Sequence, residues 1–72
     1  MMRLTIWGNR YQAARAAADH GVPLAFEREN RTRHAVRTIG TTNADEATLR
    51  AWMEEDNTVP LYVGALITFE SA

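Results

Sequence analysis

"PLAFERENRTRHAVRTI", residues 23–39, decides the fold. Both of its ends read as strand: Leu24 and Phe26 share one side of the first half, and "RHAVRTIG" (33–40) resumes a β-branched run that stops at Gly40. The polar "ENRT" (29–32) between them has turn composition, so the segment predicts a hairpin. Pro23 stands near the start of its first strand, where a missing amide donor costs least.

Helical signals flank the hairpin on both sides. Upstream, "GNRYQAARAAADHG" (8–21) opens with Asn9, whose side-chain oxygen suits the free amides of a first turn, and closes at Gly21, which suits a left-handed stop. Its predicted contact stripe is Tyr11, Ala14 and Ala17 or Ala18. Downstream, "TTNADEATLRAWMEED" (41–56) places Asn43 and Glu46 at capping-box spacing, with Asp45 and Glu46 near the positive end of the helix dipole. The apolar stripe there is Ala44, Ala47 or Thr48, Leu49, Trp52 and Met53, which puts Trp52 in the core and Arg50, Glu54 and Glu55 toward water.

The ends of the chain supply the remaining strands. "MRLTIW" (2–7) alternates, with Met2, Leu4 and Ile6 on one face and Arg3, Thr5 and Trp7 on the other. "LYVGALITFE" (61–70) is the most hydrophobic stretch and predicts a central strand, or a short hairpin if Gly64 opens a turn. The order strand, helix, strand, strand, helix, strand implies an α+β ferredoxin-like two-layer sandwich. It is a four-stranded sheet with both helices on one face and the other face open, formed by residues 1–72 as a single domain.

A second architecture comes from similarity. "TVPLYV" (58–63) resembles the threonine-valine-proline strand entry of glutaredoxin-like proteins, and "RLTIWGNRYQAARAAADHGVPL" (3–24) has their strand, helix, glycine, strand rhythm. The resemblance implies a truncated thioredoxin-like fold. It implies no redox activity, because the family's cysteines are absent and the final helix is missing.

Composition narrows the function. The chain has 72 residues, 46% hydrophobic and 24% charged, which is the balance of a folded domain with one small core. With no cysteine there is no disulfide framework and no thiolate metal site. No apolar run approaches the roughly 18 residues of a membrane span, and the opening residues are too short a match to a signal peptide, so a cytoplasmic protein is expected. All eight cationic side chains are arginine, a bias typical of GC-rich coding.

The net charge of −1 conceals a split. Residues 1–38 hold seven arginines against three acids, for +4, and residues 39–72 hold Arg50 against six acids, for −5. If folding keeps the two sets apart, the molecule has a basic side and an acidic side. Guanidinium groups at Arg28, Arg31, Arg33 and Arg37 offer forked donors to carboxylate or phosphate. Asp45, Glu46, Glu54, Glu55 and Asp56 form the opposing acidic helix, and Trp7 beside arginines has hot-spot composition.

The chemistry-bearing residues point away from catalysis. His20 precedes the helix-stopping glycine and reads as a C-terminal cap, His34 lies among the arginines, and neither has a ligand partner at i+3 or i+4. "EED" (54–56) lacks the alternation and bend glycine of a calcium loop, and Ser71 is the only serine. No enzyme, cofactor or metal is expected. The expected function is a non-enzymatic interaction protein that docks on a larger protein or ribonucleoprotein. In brevity and general character it resembles phage or mobile-element accessory proteins, anti-CRISPR inhibitors among them. A nucleic-acid module using the arginines with Trp7 and Tyr62 is the alternative, and a homodimer through the open sheet is compatible with either.

Overall fold

The computed structural model describes residues 1–56 and 66–72. The order is β1 (Met2–Trp7), α1 (Arg10–Asp19), β2 (Ala25–Arg31), β3 (Val36–Thr42), α2 (Glu46–Asp56) and β4 (Ile67–Ser71). The strands form one sheet in the order β2-β3-β1-β4 with every neighbouring pair antiparallel. This is the ferredoxin-like sandwich. The thioredoxin-like alternative fails because β1 has β3 and β4 as its neighbours and both run against it. "TVPLYV" and Tyr62 lie outside the described residues.

Alternation in β1 divides the two faces as expected. Leu4 and Ile6 are fully buried and pack with Ala13 and Ala17 of α1, Leu49 and Trp52 of α2, Val22 and Ile67. Burying aliphatic side chains of this size stabilises by about 1.5–3 kcal/mol each, so this single cluster dominates the fold. Both helices therefore cover the Leu4 face. Arg3, Thr5 and Trp7 occupy the uncovered one, across from Thr41, Ile39 and Arg37 of β3.

α1 is bounded as its sequence predicts. Asn9 Oδ1 accepts from the Gln12 amide at 2.9 Å while Gln12 Oε1 accepts from the Asn9 amide at 2.9 Å, a reciprocal cap. At the other end Gly21 takes φ +67°. The amides of Gly21 and Val22 then donate back to Ala18 and Ala17 at 3.1 and 2.9 Å, satisfying carbonyls that the helix leaves open.

Four local expectations are corrected. Tyr11 is 83% exposed and Ala14 is exposed; the buried stripe is Ala13 and Ala17, one step round the helix, where alanine permits close approach to the sheet. Asp45, not Asn43, opens α2: its carboxylate accepts from the Thr48 amide at 2.8 Å and its carbonyl from Leu49 at 3.2 Å. "ENR" belongs to β2, and the turn falls at 32–35, where Thr32 Oγ1 accepts from the amides of His34 and Ala35 at 3.3 and 3.1 Å. Finally, the last strand is an edge: β1 and β3 are central, and the described part of β4 pairs only with β1.

The hairpin carries one irregularity. Register shifts between Phe26 and Arg28, so Glu27 is an extra residue opposite β3. The bulge changes which face each later side chain takes. Phe26, Glu29 and Arg31 fall on the helix side, opposite Gly40, Thr38 and Val36, while Arg28 and Asn30 fall on the open side, opposite Ile39 and Arg37.

Candidate functional site

The open face collects Arg3, Trp7, Arg28, Arg37, Ile39 and Glu70. Trp7 and Arg37 are cross-strand partners on the two central strands. Beside them a groove of ≈ 290 Å³ is lined by Trp7, Thr32, His34, Ala35 and Arg37, so the hairpin turn brings His34 to the same place. Ile39 lies at the centre of this face yet is only 8% exposed, because its neighbours shield it.

The arginines divide by partner. Arg3 Nε meets Glu27 at 3.4 Å, and Arg31 meets Glu29 at 3.0 Å. Arg28, Arg33 and Arg37 have no ion pair among the described residues. Local neutralisation thus removes two of the cations from the basic set and leaves three around the distal half of the hairpin. Glu29 does more than pair: its Oε1 accepts from the Arg10 amide at 2.8 Å, tying β2 to the first turn of α1. That amide, with Arg31 in support, holds the Glu29 carboxyl below its ordinary value of 4.5.

The acidic residues are more committed. Asp45 caps α2, and the hydroxyl and amide of Thr48 hold its carboxyl below the ordinary value of 3.8. Glu46 pairs with Arg50 one turn on at 3.0 Å. Asp56 accepts from the buried Trp52 indole at 2.6 Å and faces His20 Nε2 at 3.1 Å. Glu55 stands 3.9 Å from His20 Nδ1. Glu54 is exposed at the end of the same helix. The charge split of the sequence is therefore realised unevenly: most of the acids hold structure together, while the hairpin keeps cations toward solvent.

Sequence reasoning missed the group around His20. Its ring lies on Trp52, and a cleft of ≈ 470 Å³ opens beside it, lined also by Trp7, Arg15, Asp19 and Asp56. Asp56 is 36 residues away along the chain, so a search at helical spacing does not reach it. The element order gives no signal for it either, because α1 and α2 follow antiparallel strands, and only the tertiary packing brings His20 to Asp56.

No protein-family model, curated protein or solved structure matches the chain.

Proposed function

We propose that the chain is a non-enzymatic interaction protein, of the accessory or inhibitory kind used by phage and mobile elements, that docks on an acidic surface of a larger protein or ribonucleoprotein. Arg28, Arg33 and Arg37, with Trp7, make the contact. The observation that carries this reading is the cross-strand pairing of Trp7 with Arg37 on the face the helices leave uncovered. An aromatic ring supplies rigid apolar area, and an adjacent guanidinium supplies directed donors to carboxylates. Asp45 and Asp56 are engaged in capping and in holding Trp52, so the acidic helix is the weaker candidate for the docking side. Among the described residues no helix is long and apolar enough to cross a membrane.

Trp7 also favours a second reading. A half-buried aromatic on a central strand, next to cations, is the arrangement on which single-stranded nucleic acid stacks. One pair of variants separates the readings. Charge reversal of Arg28, Arg33 and Arg37 together is expected to abolish complexes captured from the native host, while reversal of Glu46 and Glu54 leaves them intact. If neither variant weakens capture, electrostatic docking is wrong. Binding of the wild type to short RNA or DNA with a steep salt dependence, lost in the arginine variant, selects the nucleic-acid reading instead.

A further inference from the structure

The C-terminal ends of α1 and α2 meet at His20, and we propose that they form a divalent transition-metal site, of the zinc class, with His20 Nδ1 and the Glu55 carboxylate as protein ligands and Asp56 as the group that orients the imidazole. The ligands proposed here are not among the docking residues, although Trp7 lines the cleft beside His20 as well as the open face.

Asp56 Oδ2 accepts from the Trp52 indole N–H at 2.6 Å, and Trp52 is 1% exposed, so the carboxylate is anchored to the core. The same oxygen faces His20 Nε2 at 3.1 Å. A carboxylate accepts and does not donate, so in the neutral imidazole the proton sits on Nε2 and Nδ1 carries the lone pair. Stacking on Trp52, with ring centroids 5.1 Å apart and planes 16° apart, fixes the ring's remaining freedom. A carboxylate on one imidazole nitrogen and a metal on the other is the arrangement that sets tautomer and raises ligand basicity in metal-binding histidines.

Glu55 supplies the second ligand. Its Oε2 is 3.9 Å from Nδ1, where two ligands on a tetrahedral zinc stand about 3.3 Å apart. The observed separation exceeds that spacing by about 0.6 Å. Ligand atoms of His20, Glu55 and Asp56 all lie within 4.8 Å of one another.

The helix ends add negative potential at this point, opposed by the Arg15 guanidinium on the adjoining cleft. The carbonyl ends of two helices carry negative partial charge, and α2 ends on Glu54, Glu55 and Asp56 with no basic residue in its last turn. Acids at that end are unfavourable unless a cation meets them. Imidazole plus carboxylate suits zinc better than calcium or magnesium, which take oxygen donors.

Zinc titration of the whole chain, followed by calorimetry and by the ¹⁵N resonances of the imidazole rings, tests the site. Saturable uptake of one zinc is expected, with the large shift at His20 Nδ1 while Nε2 keeps its proton. Glu55→Gln and Asp56→Asn are expected to weaken binding, the latter by about 10–100-fold, and His34→Ala to leave it unchanged. Because His20→Ala removes the stack on Trp52, the wild-type ring resonances decide the matter even if that variant does not fold. Uptake that shifts only His34, or no saturable uptake, overturns the site.

Discussion

His20 and Trp52 stack almost parallel, and both direct a ring nitrogen at the same atom, Asp56 Oδ2. The acceptor thus joins the caps of two helices to a fully buried ring. Replacing Asp56 with alanine leaves the indole N–H without its carboxylate, and an unsatisfied buried donor costs about 1–3 kcal/mol. Asp56→Asn keeps an acceptor oxygen and is expected to lose less. Urea denaturation followed by tryptophan fluorescence measures both; an alanine variant that unfolds at the wild-type midpoint removes Asp56 from this role.

Gly40 is required for a different reason, closeness rather than backbone angle. A β-carbon there would stand 2.5 Å from the Ala25 carbonyl oxygen and 2.7 Å from Leu24 Cδ1. A backbone atom cannot step aside as a flexible side chain can. Gly40→Ala is therefore expected to cost about 1–3 kcal/mol by forcing β2 away from β3. Thermal melting reads this as a fall of roughly 4–8 °C per kcal/mol in a domain of this size, and an unchanged melt would place β2 elsewhere.

The sequence carried the architecture through local signals: alternation in "MRLTIW", a capping oxygen at Asn9, a stop at Gly21, and a polar break between two strands that lies a few residues later than "ENRT" suggested. Strand position carried no such signal. The hydrophobicity of 61–70 suggested a central strand, yet sheet order is set by how the helices cross, and β4 lies at an edge. The bulge at Glu27 had no signature either, and it places Arg28, not Arg31, on the face that holds Arg37. Charge singled out Arg28, Arg31, Arg33 and Arg37 and parity singled out Trp7; folding sets Arg28, Arg37 and Trp7 on the open face and pairs Arg31 with Glu29. The His20 group was not among the candidates, since it depends on two helix ends brought together by tertiary packing.

Glu29 links the hairpin to α1 and should make stability depend on acid. Its carboxylate accepts from the Arg10 amide and pairs with Arg31, and these contacts hold the folded-state value below the ordinary 4.5. The unfolded chain then binds more protons than the folded chain as pH falls through that window, so stability rises with pH across it. The contribution is complete above the ordinary value and is lost as pH drops through the lower, folded one. Asp45, held low by Thr48, acts in the same direction from its ordinary 3.8 downward. Glu29→Gln retains an oxygen that can accept from Arg10 but removes the titration. Urea midpoints measured from neutrality down through the carboxylate range should therefore fall less steeply for the variant, with the gap to wild type widest at neutral pH and narrowing in acid. Two parallel curves would mean that Glu29 does not couple folding to protonation, and that the bond to the first turn of α1 contributes nothing that depends on its charge.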